Sequence, residues 1–385
     1  MRFLLVVPPL TGHVTPLRAV AAELRANGHE VAWCGPEPTT SELVGEPVYP
    51  AGDARPFAVE LRPAELRGFA ALKYLWQNYL IPLADEMVPG VRAAVEDFAP
   101  HVVVADQQAF AGAVVATELG IPWATSASTS TELAEPAFPK IAAWITGLLY
   151  ELCRRYDVPE LDLRFSPHLI LAFTTRELAG PPAPDLAVQY VGAPVTDPPK
   201  VDFPWDRLDE RPLVVITLGT ANAAAGRRFV SEGVAALASM REVQGVVAGD
   251  VPSDDVIVAD RIPQVELLRR AAVVVCHGGQ NTVSESLRAG VPLVVAPIRD
   301  DQSMLAQQVV ATGAGVRVRF DRASAEDLRA AITSLLIHPQ YVHNAARIQQ
   351  SYLAAGGAAR AAQLLCSVKA SLFVERGQPC NPMSR

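Results

Sequence analysis

The stretch that decides the fold runs from residue 276 to residue 285 and reads Cys-His-Gly-Gly-Gln-Asn-Thr-Val-Ser-Glu. The apolar run before it, from Ala271 to Val275, predicts a buried strand. Its two glycines allow a tight turn close to a ligand, and Thr282 with Glu285 three places later is typical of a capping box at a helix start. Unpaired N–H groups and the helix dipole favour a phosphate there. The stretch therefore predicts a strand, a glycine turn and a helix that together form an anion site.

Apolar runs alternate with amphipathic segments on both sides of this stretch and along most of the chain. Strands are predicted at 3–7, 30–34, 102–105, 123–125 and 169–172, and again at 213–218, 244–247, 256–258, 273–276, 293–296 and 316–318. Helices are predicted at 14–27, 227–239, 325–336 and 342–372, with a helical pattern at 64–98 that is broken near its two prolines. This alternation predicts two doubly wound α/β domains with parallel sheets and ligand groups at the carboxyl ends of their strands.

Length and composition agree with two globular domains. The 385 residues exceed what one hydrophobic core usually serves, and half of them are hydrophobic. The predicted domains are 1–195 and 213–355, joined by a proline-rich linker at 196–212 and followed by a C-terminal segment at 356–385.

Charge and cysteine usage exclude several classes of partner. The net charge of -8 gives no general attraction to nucleic acid. No apolar segment has the length of a signal peptide or a membrane span, so a cytoplasmic protein without stable membrane insertion is expected. The five cysteines are odd in number and widely spaced, which indicates neither a disulfide framework nor a zinc site, and no metal site is predicted.

His13 lies in the predicted loop between the first strand and the first helix, in Thr-Gly-His-Val-Thr-Pro at 11–16. Asp106 directly follows the predicted strand at 102–105. Both fall at the carboxyl edge of the predicted sheet, where a ligand cleft opens. From the residues alone His13 is either a local hydrogen-bonding residue or a catalytic base, and Asp106 is either a helix N-cap or its partner.

The longer pattern is far more specific than any of its parts. His-Gly-Gly at 277–279, Asn-Thr at 281–282, Glu285, Gly-Val-Pro at 290–292 and Pro-x-x-x-Asp-Gln at 297–302 together resemble the donor-site signature of GT-B glycosyltransferases that use nucleotide sugars. The resemblance is to the family 1 type, and especially to the bacterial enzymes that glycosylate natural products. It implies two Rossmann-like domains facing a central cleft, with the last helix crossing back onto the first domain.

The same resemblance assigns roles to residues that match the motif. It makes His13 the catalytic base and Asp106 its carboxylate partner. The implied donor residues fall into three groups: the diphosphate site is Thr220, His277, Gly278, Gly279, Asn281 and Thr282, the nucleoside site is Arg261, Ile262, Gln264 and Glu285, and the sugar site is Asp301 and Gln302. Glu285 also fits a purely capping role. Two positions depart from the pattern: Arg261 stands where relatives stack an aromatic residue, and Leu305 stands where many have Asn.

The implied reaction is inverting transfer of a hexose or deoxyhexose from a UDP- or dTDP-sugar to a hydroxyl of a small lipophilic natural product, without a metal or other cofactor. Aromatic residues in the acceptor half, among them Trp76, Phe110 and Trp144, are either acceptor-binding or simply core. A monomer or a homodimer is expected. A catalytically silent partner of another glycosyltransferase and a nucleotide-sugar epimerase are the alternatives. A nicotinamide-dependent dehydrogenase is disfavoured because neither predicted sheet begins with Gly-x-Gly-x-x-Gly.

Overall fold

The computed structural model describes residues 1–58, 61, 63, 66, 68–136, 138–194, 201–219, 226–299 and 301–368. Its strands are β1 Arg2–Val6, β2 Glu30–Glu37, β3 Tyr49–Asp53, β4 Val102–Asp106, β5 Trp123–Ala127, β6 Ile170–Ala172, β7 Val188–Tyr190, β8 Leu213–Thr217, β9 Gln244–Ala248, β10 Ile257–Ala259, β11 Ala271–Cys276, β12 Leu293–Val295 and β13 Gly315–Arg317.

Its α-helices are α1 Thr11–Ala26, α2 Thr39–Val44, α3 Gly68–Tyr74, α4 Ile81–Phe98, α5 Phe110–Glu118, α6 Pro139–Arg155, α7 Arg176–Ala179, α8 Arg227–Ala238, α9 Gln264–Leu268, α10 Gln280–Arg288, α11 Gln302–Ala311, α12 Ala325–Ile337, α13 Pro339–Ala354 and α14 Gly357–Ser367. A π-helical turn at Leu75–Leu80 joins α3 to α4, and short 3₁₀ turns lie at Arg55–Phe57, Ser130–Leu133 and Trp205–Arg207.

The strands form two fully parallel sheets of the same design. The first has the order β3-β2-β1-β4-β5-β6-β7 and the second β10-β9-β8-β11-β12-β13. In each sheet the strand order reverses beside the first strand, between β1 and β4 and between β8 and β11. Ligands of doubly wound folds bind at this reversal. The α/β class and the doubly wound architecture predicted from the sequence are confirmed.

Successive residues of a strand enter different cores, because each sheet is covered by helices on both faces. In β1, Leu4 and Val6 belong to one buried cluster, while Phe3 and Leu5 belong to another that also contains Leu365 of α14. The strands therefore read as continuous apolar runs.

The C-terminal helices divide between the two sheets. Tyr352 of α13 is buried with the second sheet, whereas α14 packs on α1 and places Leu365 in the core of the first. The chain turns between them at Gly356 and Gly357, whose φ angles of 86° and 58° suit glycine. The sequence predicted a single helix at 342–372, and this glycine pair is the reason that two form.

Several predicted boundaries were wrong. Helix α1 begins at Thr11, not at Val14, so His13 lies in its first turn. Asp106 is the last residue of β4. Strands β3 and β7 were not predicted, since each is short and β3 contains both Pro50 and Gly52. No helix in the described part of the chain is long and apolar enough to cross a membrane.

Candidate active site

His13 and Asp106 meet at the strand reversal of the first sheet. The Nδ1 atom of His13 lies 2.8 Å from Oδ1 of Asp106. The parallel register of β1 and β4 places Val6 beside Ala105, and α1 then carries His13 back over the end of β4. Asp106 also accepts the backbone N–H of Gln108 at 2.9 Å, which fixes the carboxylate.

A third side chain, Ser128, completes this arrangement. Its hydroxyl lies 2.7 Å from Nδ1 of His13 and donates to Oδ2 of Asp106 at 2.8 Å. Because a carboxylate only accepts, Nδ1 of His13 carries the proton, and this N–H is shared between Asp106 and Ser128. The lone pair of the neutral ring is therefore on Nε2.

The imidazole of His13 is surrounded by carboxylates. Burial alone would lower its pKa, but the charge of Asp106 and the hydrogen bond to it, with smaller contributions from Asp301 and Glu132, raise the pKa of His13 above its ordinary 6.5. The side chain of His13 is 13% exposed, while that of Asp106 is fully buried. This geometry suits a base that holds an abstracted proton as an imidazolium.

The second domain approaches His13 through the start of α10. The amide of Asn281 lies 3.4 Å from the carbonyl oxygen of Gly12. Within α1 this carbonyl would normally pair with the N–H four residues later, but that residue is Pro16, which has none. Pro16 thus leaves a free acceptor beside His13, and a residue of the His-Gly-Gly-x-Asn motif uses it.

His277 lies at the strand reversal of the second sheet, between two glycines. A Cβ atom on Gly279 would be 2.4 Å from Nε2 of His277, and one on Gly219 would be 2.9 Å from Cε1. Burial, and then the nearby charge of Arg299, lowers the pKa of His277 to about 4. The ring is therefore neutral, and its Nδ1 atom is buried without a hydrogen-bond partner among the described residues.

Helix α10 starts three residues before the position that the capping-box spelling predicted, since Thr282 would be the N-cap and Gly279 is. Its N-cap is Gly279, with no side-chain capping hydrogen bond, and Thr282 is buried inside the helix. The capping prediction was therefore wrong. Glu285 instead accepts a hydrogen bond of 2.7 Å from Gln264 at the start of α9.

Two of the predicted nucleoside residues, Gln264 and Glu285, are joined by this bond. Burial raises the pKa of Glu285, against the opposing effect of its hydrogen bond from Gln264. Ile262 is half-buried and adjoins Gln264, whereas Arg261 is exposed.

The predicted sugar residues stand at the start of α11, on the side of the second domain that faces His13. Gln302 is buried and its side-chain oxygen accepts the backbone N–H groups of Ile298 and Arg299 at 2.8 and 3.1 Å. Gln302 therefore also holds the turn before α11. Asp301 is half-buried, and its charge acts on His13. Thr220, the remaining predicted diphosphate residue, falls outside the described residues.

The three predicted acceptor aromatics do not share one environment. Trp76 and Phe110 are 1% and 0% exposed and stack on each other with ring centroids 5.6 Å apart. Both are therefore core residues, which corrects the acceptor-binding prediction for them. Trp144 is half-buried and packs edge-to-face on Phe69, which is 53% exposed.

Sequence reasoning did not single out the polar segment after β5, which reads Ser-Thr-Ser-Thr-Glu at 128–132. Ser128 contacts His13, Ser130 contacts α10, and Glu132 accepts from Gln107 and pairs with Arg164 at 3.3 Å each. A run of five polar residues directly after a buried strand was the available signal. Among the described residues, no group of three or more His, Cys, Asp or Glu side chains is arranged to hold a metal ion.

Comparisons with known proteins agree with this geometry. Residues 230–367 match the family model described as erythromycin biosynthesis protein CIII-like, C-terminal domain. The chain is 28% identical to 4'-demethylrebeccamycin synthase of Lentzea aerocolonigenes, over 94% of this chain and 98% of that protein. It is 27% identical to demethyllactenocin mycarosyltransferase of Streptomyces fradiae, over 93% and 84% of the two chains.

The spinosyn rhamnosyltransferase complexed with thymidine diphosphate has the same fold, with a TM-score of 0.76 at 23% identity over 95% of this chain and 100% of that one. The chain has the GT-B fold, and its relatives include glycosyltransferases. The contact of Asn281 with Gly12 brings the two strand reversals together, so that His13 of the first domain lies beside the start of α10 in the second.

Proposed function

We propose that this glycosyltransferase inverts the anomeric carbon as it moves a hexose or deoxyhexose from a UDP- or dTDP-sugar to a hydroxyl of a small lipophilic natural product. One observation carries the proposal. The His13–Asp106 pair, joined at 2.8 Å, lies one residue from Gly12, whose carbonyl is 3.4 Å from the amide of Asn281 in the donor motif. This contact supports a base and an anion site on opposite sides of one cleft.

His13 supplies the base. An acceptor hydroxyl is a poor nucleophile near neutral pH, and Nε2 of His13 takes its proton as the oxygen attacks. Asp106 keeps Nδ1 protonated and stabilises the imidazolium that forms. The oxygen attacks from the face opposite the diphosphate, which gives inversion.

The start of α10 receives the leaving group. Unpaired backbone N–H groups and the helix dipole at Gly278 and Gly279 stabilise the charge that develops on the diphosphate. His277, Asn281 and Thr282 add side-chain donors, and a neutral His277 donates one N–H without a positive charge. No metal or other cofactor is part of this proposal.

The remainder of the donor binds along α9, α10 and α11. Glu285 accepts hydrogen bonds from the ribose hydroxyls, and Gln264 holds the carboxylate of Glu285 in place. Ile262 and Arg261 contact the nucleobase. Asp301 and Gln302 bind the sugar hydroxyls beside His13.

A lipophilic acceptor is supported by the first domain and by the relatives. Phe69 on α3 packs edge-to-face on the half-buried Trp144 of α6, and Phe138, directly before α6, is 68% exposed. Relatives include a mycarosyltransferase for demethyllactenocin and a rhamnosyltransferase complexed with spinosyn aglycone.

The donor half of the proposal is tested by titrating UDP, dTDP, GDP and NAD into the protein and following the melting temperature. A pyrimidine nucleoside diphosphate should raise it, and His277→Ala should remove most of that increase. If none of the four ligands changes the melting temperature, the donor site is wrongly assigned, and a catalytically silent partner protein becomes the better explanation.

A further inference from the structure

Two serine side chains on alternate residues of the segment after β5 contact different partners. Ser128 contacts both members of the His13–Asp106 pair, at 2.7 Å to Nδ1 of His13 and 2.8 Å to Oδ2 of Asp106. Two residues further on, the hydroxyl of Ser130 donates to Oε1 of Gln280 at 2.6 Å. Gln280 is the first residue of α10. The same short segment thus touches the base and the donor helix.

The contact at Gln280 continues inward through the second domain. Nε2 of Gln280 donates to Ser284 at 2.9 Å, and Ser284 accepts a second hydrogen bond from the hydroxyl of Tyr352 at 2.9 Å. Tyr352 in turn lies 3.4 Å from Thr174, which follows β6 in the first domain. The chain of hydrogen bonds therefore starts and ends in the first domain and passes through α10.

Four of the five side chains in this chain of hydrogen bonds are shielded from water, and Gln280 is half-buried. Ser130, Ser284 and Tyr352 are each 2% exposed, and Thr174 is fully buried. Breaking one bond would leave a buried polar atom unpaired, which costs more than losing an exposed hydrogen bond. The contacts accordingly favour one relative position of α10 and the segment after β5.

We propose that Ser128 and Ser130 are positioning residues that hold the His13–Asp106 pair in register with the donor helix. Ser128 orients the ring of His13, and Ser130 joins the segment that carries Ser128 to Gln280 by a hydrogen bond. Nε2 of His13 is therefore directed at the anomeric carbon only when α10 occupies the position seen in this structure. This inference rests on the proposed function, because it assigns a role to the segment in the same reaction.

The test uses the full-length chain with Ser130→Ala, Gln280→Ala and the double variant. Ser126→Ala is a matched control: Ser126 is buried, two residues before Ser128, and its hydroxyl has no hydrogen-bond partner in the described structure. Loss of the Ser130–Gln280 bond should lower kcat about fivefold to tenfold, while the Kd for dTDP changes less than about twofold. The double variant should lose no more than the worse single variant.

A second readout does not require turnover. The NMR signal of the His13 ring is identified among those of the seven histidines by its loss in His13→Asn. In nucleotide-free protein it should move in Ser128→Ala and Ser130→Ala and stay unchanged in Ser126→Ala. If Ser130→Ala leaves that signal in place, the coupling is refuted. If His13→Ala keeps normal turnover while the His13 signal still moves in Ser130→Ala, the coupling between Ser130 and His13 holds and the assignment of His13 as the base fails.

Discussion

His13 and His277 occupy equivalent strand reversals in opposite electrostatic surroundings. Carboxylates around His13 overcome burial and raise its pKa, whereas burial and Arg299 lower the pKa of His277 to about 4. His13 therefore accepts and holds a proton, while His277 remains a neutral donor at working pH. Environment, and not residue type, separates the proposed base from the proposed phosphate-binding histidine.

Replacing Asp106 by Asn should move the acid limb of the kcat/KM profile to lower pH. Wild-type activity falls as pH drops through the raised pKa of His13, because the base must be unprotonated. Without the charge of Asp106, burial dominates and the pKa of His13 decreases. The plateau rate should also fall roughly 10- to 1,000-fold, since the imidazolium loses its partner. An acid limb that stays in place would show that Asp106 does not act through His13.

Gly279→Ala should impair donor binding more than folding. The new Cβ would lie 2.4 Å from Nε2 of His277, so the ring must leave its place at the start of α10. Titration with dTDP should show a Kd raised about tenfold or more, the equivalent of one or two lost hydrogen bonds. Gly147→Ala in α6, where a Cβ meets nothing within 4 Å, is the control and should bind dTDP normally. Equal dTDP affinities of Gly279→Ala and Gly147→Ala would contradict the placement of His277 at the start of α10.

Among single residues, the sequence predicted those that belong to a motif with a characteristic spacing. His13, Asp106 and the motif at 277–285 stand at predicted strand ends, which left the roles of His13 and Asp106 open, and the resemblance to the GT-B family supplied those roles. Ser128 and Ser130 were not, because serine is common in loops and its role here depends on two partners far away in the chain.

Helix α1 shows why element boundaries were harder to predict than elements. Pro16 lies in the second turn of a helix that starts at Thr11, where it removes the hydrogen bond to the Gly12 carbonyl without ending the helix. The sequence prediction began the helix too late, and the consequence for function, a free Gly12 carbonyl facing Asn281, required the structure.

The helices of the acceptor half yield a prediction that separates core from surface aromatics. Phe110→Ala should reduce the free energy of unfolding by about 3–5 kcal/mol, because the ring is fully buried against Trp76. Trp144→Ala should cost less than about 2 kcal/mol and raise the acceptor KM instead. Denaturant unfolding and acceptor kinetics on both variants check this. A severe loss of stability in Trp144→Ala with an unchanged acceptor KM would show that Trp144 is a core residue and does not bind the acceptor.

Across the whole molecule, strand alternation was enough to predict two doubly wound parallel sheets. The placement of α14 follows from burial: Leu365 is fully buried among residues of β1 and α1, although it is distant from them in sequence. Such long-range packing leaves no local pattern beyond an apolar helix face. The resemblance to the GT-B family, not periodicity, supplied the expectation that the last helix crosses back.

Leu365→Ala should therefore destabilise the first domain. Removing a fully buried leucine costs about 2–5 kcal/mol, seen as a lower denaturant midpoint. Leu353→Ala in α13 is the matched control, because Leu353 is 53% exposed and should change stability by less than about 0.5 kcal/mol. Equal effects in the two variants would mean that α14 does not contribute to that core.

The central claim is that His13 is the base of a sugar transfer carried out between the two domains. The most direct test measures kcat of the wild type and of His13→Ala with the same sugar nucleotide and acceptor, together with the Kd of each for dTDP. In His13→Ala, kcat should fall about 100- to 10,000-fold while the Kd for dTDP changes less than about twofold. Normal turnover in His13→Ala, with the donor bound as in the wild type, would contradict it.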